Sequence, residues 1–103
     1  MGKQKGNLES HVKSKDYSMR LFVTGASLNS ARAIANIKNI LETYLKDNYE
    51  LEIIDIYQQP EKARFEQVIA IPLLIKSSPG VERRLIGDMS NKEKVLKGLG
   101  IYT

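Results

Sequence analysis

Apolar residues are sparse over the first 18 positions and then gather into runs whose period changes along the chain. Leu21, Phe22 and Val23 make a short apolar run stopped by Gly25, the pattern of a strand in the middle of a sheet covered by helices. Beyond it Ile34, Ile37, Leu41, Tyr44 and Leu45 recur at spacings of three and four while Arg32, Asn36, Glu42 and Lys46 stay polar. This spacing predicts an amphipathic helix of about five turns, capped by Ser27 or Asn29 and ending near Asp47. Leu51, Ile53, Ile54 and Ile56 then form a β-branched run that predicts a second buried strand. Strand, long helix and strand make a βαβ unit, with a right-handed crossover and parallel pairing.

The second half is built from shorter pieces. Gln58-Gln59-Pro60 breaks the second strand, and Pro60 suits the first position of a short helix through Val68. Ile69, Ile71, Leu73, Leu74 and Ile75 predict a third strand in which Pro72, lacking a ladder donor, must occupy an edge, a start or a bend. Ser77-Ser78-Pro79-Gly80 predicts a turn into a fourth strand over Val81 to Met89, and Ser90 with Glu93 predicts a capping box opening a last helix. The order is βαβαββα, that of a thioredoxin-like α/β domain. The end of the chain also has strand character, because Val95, Ile101 and Tyr102 are mixed with helix formers. Gly98 and Gly100 each cost a helix interior about 1 kcal/mol relative to alanine. Local preference thus leaves this last element open between helix and strand.

Composition removes several chemistries. The chain has 103 residues, enough for one core, and no cysteine. Disulfides, cysteine-ligated metals and thiol catalysis are excluded, and where thioredoxins carry their CxxC pair this chain reads Ala26-Ser27-Leu28-Asn29-Ser30. His11, the only histidine, lies in the polar stretch 1–18, read as a mobile basic tail ahead of a domain at 19–103. Gly25 stands alone after the first strand, so no phosphate loop or dinucleotide fingerprint is present. Asp55 and Asp88 suit strand ends or turns better than a paired-carboxylate site. With no apolar run approaching the roughly 20 residues of a membrane span and no apolar leader, a cytoplasmic location is expected. The net charge is +4, and half of it comes from Lys3, Lys5, Lys13 and Lys15 against Glu9 and Asp16. The basic tail and Arg83-Arg84 motivate an alternative reading as a small nucleic-acid-binding domain, against which stands the lack of an aromatic platform around Phe22 or Phe65.

Three segments carry a closer likeness. LFVTGASLNSARAIANIKNILE, ELEIIDIYQQPEKARFEQVIAIPLLIK and VERRLIGDMSNKEKVLKGL resemble, from Leu21 to about Leu99, successive blocks of the KaiB family of small clock proteins. The last is similar to that family's Arg-Arg-x-Ile-Gly-Asp-x-Ser-Asn-x-Glu-Lys-Val-Leu signature. The resemblance implies a noncatalytic adaptor, without cofactor or metal, that binds the hexameric ATPase KaiC and, in complete clocks, KaiA, and competes with a SasA-like kinase. It implies a role in circadian timing or stress adaptation, and assembly into a homodimer or homotetramer. The thioredoxin-like order implies a cis proline at Pro72, and the KaiB resemblance implies a second fold of order βαββααβ, with Gly98 and Gly100 as hinge positions, where replacing Gly98 should favour the helical state. Arg32, Lys76, Arg83 and Arg84 match basic family positions tied to KaiC contact or oligomer surfaces, and a guanidinium suits such contacts because its fork can hold a carboxylate bidentately. Glu52, where many relatives carry lysine, Gly100, where many carry aspartate, and the lack of their acidic C-terminal tail are departures from the pattern.

Overall fold

The computed structural model describes residues 15–101. Its elements run β1 (Tyr17–Val23), α1 (Leu28–Tyr44), β2 (Tyr49–Asp55), α2 (Pro60–Phe65), β3 (Leu73–Ser78), β4 (Arg83–Ile86) and α3 (Lys92–Leu99). They form one sheet of order β2-β1-β3-β4, with β1 and β2 parallel and the other neighbours antiparallel. The βαβαββα order is therefore the one found, with the last element a helix. β1 starts at Tyr17, two residues before the expected boundary at Met19. Residues 1–14 of the expected tail, including His11, lie outside the described residues.

Alternation along β1 decides the two layers. Met19, Leu21 and Val23 turn to one face and pack with Ala33, Ile37, Ile40 and Leu41 of α1 and Val95, Leu96 and Leu99 of α3. Phe22 turns to the other face and meets Ile54, Leu73 and Ile75, over which Ala63, Val68 and Ile71 close. Ser30 is the buried polar residue of α1, and its Oγ accepts the Thr24 amide at 3.0 Å, so the turn into the helix keeps its donor satisfied. Ser27 is the N-cap, accepting from the Ser30 amide at 3.2 Å.

Several boundaries differ from expectation, each for a local reason. α1 ends at Tyr44 rather than near Asp47, because Leu45 and Lys46 both donate to the Leu41 carbonyl and Lys46 adopts φ 55°. β2 is an edge strand in which Ile54 alone is fully buried, not a strand buried throughout. α2 stops at Phe65, short of Val68, with Gln67 at φ 57°. β3 begins only after Pro72, leaving Ile69 and Ile71 outside it, and Ile69 is 94% exposed. The Ile71–Pro72 bond is cis, and so is Ser78–Pro79. β4 covers four residues rather than Val81 to Met89, since Gly87 at φ 121° and Met89 at φ 63° curl the chain off the sheet.

α3 is capped by Asn91, whose Oδ1 accepts the Lys94 amide at 3.1 Å, not by Ser90. The Ser90 amide instead donates to Asp88 Oδ1 at 3.0 Å, an Asx turn that displaces the expected capping box by one residue. At the other end Gly98 stays inside the helix, and only Gly100 stops it. Gly100 is left-handed at φ 77°, and Ile101 donates to the Leu96 carbonyl at 2.9 Å, a closure of Schellman type.

Candidate functional site

The basic residues singled out in the sequence fall into three separate places. Arg32 is exposed in the first turns of α1, and its charge reaches Asp88 in the β4–α3 loop. The Asp88 carboxyl is held below the ordinary carboxylate range, chiefly by hydrogen bonds from Ser90 and secondarily by Arg32. Asn36 of α1 fastens the same loop, donating from Nδ2 to the Asp88 carbonyl at 2.9 Å. Asp55 is not near this loop's carboxylate network: it ends β2, and its Oδ1 accepts the Tyr57 amide at 2.9 Å. A Cβ on Gly25 would sit 2.5 Å from Asp55 Oδ2, so glycine there permits the close approach of the β1–α1 turn to the end of β2.

Lys76 and Arg83 are cross-strand partners on the sheet face that carries α1 and α3. Arg83 is exposed, but Lys76 is 5% exposed and donates its Nζ to the Pro79 carbonyl, bridging the β3–β4 turn from within. Burial pushes the Lys76 ammonium down from the ordinary lysine value, and the Arg83 charge pushes in the same direction. Lys76 is thus placed as a turn-holding side chain rather than as a surface contact.

Arg84 points to the opposite face, where it completes an arrangement that sequence reasoning missed. Register aligns Glu52, Arg20, Ile75 and Arg84 in one row across all four strands. Glu66, just past α2, lies over that row: its Oε2 is 2.7 Å from Arg20 Nη2 and its Oε1 is 3.3 Å from Arg84 Nη2. Arg84 also donates from Nη1 to the Glu66 carbonyl at 2.9 Å and from Nε to Glu82 at 2.9 Å, while Lys62 pairs with Glu52 at 2.8 Å. The Glu66 carboxylate is only 14% exposed, so it is the desolvated member of the chain. Arg20 further lies over the Phe22 ring, 5.8 Å from its centroid. The available signal was the polar Arg20 and Glu52 at alternate strand positions, but their shared row depends on strand order and register.

Around this frame several large apolar side chains stay in solvent, among them Phe65 at 84%, Val81 at 67% and Ile86 at 61%. Among the described residues no group of three or more His, Cys, Asp or Glu is arranged to hold a metal ion, and no helix is long and apolar enough to cross a membrane.

Gly98 has a packing role in addition to any hinge role. A Cβ there would lie 2.6 Å and 2.9 Å from the two Leu85 methyls, so α3 rests on β4 through the absence of a side chain. This qualifies the expectation that replacing Gly98 favours the helical form, because the replacement crowds the helical form itself.

A four-stranded mixed sheet of this order, with two helices on one face and one on the other, defines a thioredoxin-like domain. Solved structures agree on the fold: oxidized mitochondrial thioredoxin 3 of Saccharomyces cerevisiae superposes with a TM-score of 0.69 at 18% identity, covering 85% of this chain and 80% of that one. The N-terminal domain of Synechococcus elongatus SasA superposes with a TM-score of 0.66 at 22% identity, covering 84% and 85%. Within this fold the chain belongs to the KaiB family, whose domain it matches over residues 20–101. It is 51% identical over 83 residues to the circadian clock protein KaiB3 of Synechocystis sp., covering 81% of each chain. It is 45% identical over 87 residues to the circadian clock oscillator protein KaiB of Picosynechococcus sp., covering 84% of each. Nothing in these comparisons supports the nucleic-acid reading.

Proposed function

We propose that the chain is a noncatalytic KaiB-type adaptor that docks on a KaiC-type hexameric ATPase ring and modulates circadian-type timing or stress-adaptation signalling. The observation that carries this reading is the identity to clock-protein relatives over more than four-fifths of both chains. Arg32 and Arg83 are the contact residues in this reading, while Arg84, held by Glu66 and Glu82, fixes the segment after α2 instead. Lys76 acts indirectly, by holding the turn that presents Arg83. The likeness in shape to the SasA N-terminal domain supports competition for one ring surface by a SasA-like kinase, and KaiA is a further partner where it occurs. Self-association into a dimer or tetramer, and an alternative βαββααβ packing of the second half, belong to the same proposal.

The test mixes the full chain with a KaiC homologue from the same source and ATP, and follows the mixture by size exclusion over a day. A ring complex should form, and Arg32→Glu with Arg83→Glu should weaken it. Absence of any complex, with a phosphomimetic ring included, would sink the adaptor reading while leaving the fold untouched.

A further inference from the structure

Among the described residues β4 is an open edge of the sheet, and its hydrogen-bonding groups can be assigned. Gly87 donates its amide to the Pro72 carbonyl at 3.0 Å. Groups alternate in direction along an antiparallel strand, so Leu85 and Arg83 also face β3, while the amides and carbonyls of Arg84 and Ile86 face outward. The side chains beside this outward row are distinctive. Ile86 and Val81 are largely exposed. Arg83 and Lys94 are exposed and make no ion pair among the described residues, and Lys94 lines the same cleft as Ile86. The Arg84 guanidinium is already taken by Glu66 and Glu82. The opposite edge, β2, carries Glu50 and Glu52 instead, so the two edges differ in sign.

We propose that the β4 edge accepts an extended acidic segment of a partner protein by antiparallel strand addition. Main-chain bonds go to Arg84 and Ile86, an apolar side chain covers Ile86, and a carboxylate three residues further along reaches Arg83. The three-residue spacing follows from the pleat: Ile86 and Arg83 lie on opposite faces, and each side chain meets the one directly opposite it. A second copy of β4 leaves Arg83 unanswered, because the self-paired register that bonds Arg84 of one strand to Ile86 of the other sets Arg83 opposite Gly87 rather than a carboxylate. Arg83 serves in both readings, but the strand addition is tested without an ATPase ring, so failure of one leaves the other standing.

The probe is a synthetic peptide, acetyl-Ser-Thr-Ile-Ser-Thr-Asp-Ser-Thr-amide, titrated into the 15N-labelled full chain. The Arg83, Arg84 and Ile86 amides should shift saturably, with β2 amides unmoved. Replacing the peptide Asp by Lys should weaken binding about tenfold, and Arg83→Glu should reverse that preference. Shifts centred on β2, or none at millimolar peptide, would overturn the proposal. So would concentration-dependent shifts of Arg84 and Ile86 without peptide, which would assign the edge to a second copy. The two-peptide comparison on the unmodified chain decides the matter even if Arg83→Glu does not fold.

Discussion

The two faces of the sheet are held by different means. On one, α1 and α3 bury a continuous apolar cluster running from Met19 to Leu99. On the other, four buried residues, Phe22, Ile54, Leu73 and Ile75, are covered by a six-residue helix that buries none of its own residues. What fastens that helix is the desolvated Glu66 held between Arg20 and Arg84. Apolar area supplies cohesion without direction, whereas paired charges supply position with little net stability. The first face should therefore set global stability, and the second should set where one segment sits.

The largest effect that separates the faces is a cavity under α1. Ile37 is fully buried, and Ile37→Ala should cost about 2–5 kcal/mol in chemical denaturation, with all probes moving together. A loss under about 1 kcal/mol, or one confined to part of the molecule, would contradict a single core on that side.

Gly98→Ala probes the same face where α3 meets β4. Removing a helical glycine gains about 1 kcal/mol, but forcing a methyl against Leu85 costs about 1–3 kcal/mol, so the net effect should be a loss of up to about 2 kcal/mol. Leu85→Ala made in the same chain should recover part of it, since the two changes share one space. A stabilised Gly98→Ala protein with unchanged oligomer size would show that Leu85 yields freely.

Glu66→Gln tests the other face. It keeps the shape, removes the charge facing two arginines, and leaves the Arg84 bond to the Glu66 carbonyl in place. Because Arg20 and Arg84 are 26% and 36% exposed, solvent screens much of the effect, and the global cost should be about 1 kcal/mol or less. Amide exchange should accelerate across residues 60–71 and stay slow in α1. Uniform acceleration would merge the two faces into one cooperative unit.

Legibility in the sequence follows the same division. The first strand, the long helix and the second strand were readable because Leu21 to Val23 and Ile34 to Leu45 carry their own periods and caps. Edges and ends were less so. That β2 is an edge depends on β3 inserting beside β1, which no local pattern in Leu51 to Ile56 records. Asn91 displaces Ser90 as the cap because Asp88 captures the Ser90 amide, a competition between two good local motifs. Arg83 and Arg84 were visible as a pair, and strand alternation split them between faces. Lys76 reads as one more surface cation until pairing with β1 and β4 encloses it.

Lys76 provides the smallest and most selective test, since it lies on the apolar face yet is polar. Its folded-state value is lowered below the ordinary 10.5, so over the interval between the two the unfolded chain binds more protons than the folded one. Stability from this residue therefore rises as pH climbs from the folded value towards 10.5, and below that interval the buried ammonium is a steady burden. Lys76→Met keeps the length of the stem, removes the titration and leaves the Pro79 carbonyl without its donor. Urea midpoints measured in alkaline steps should show the original chain gaining on Lys76→Met through that interval, because every other titrating group is common to both. Parallel curves would mean that the ammonium reaches water in solution, and that the apolar face is less closed at the β3–β4 turn than its packing indicates.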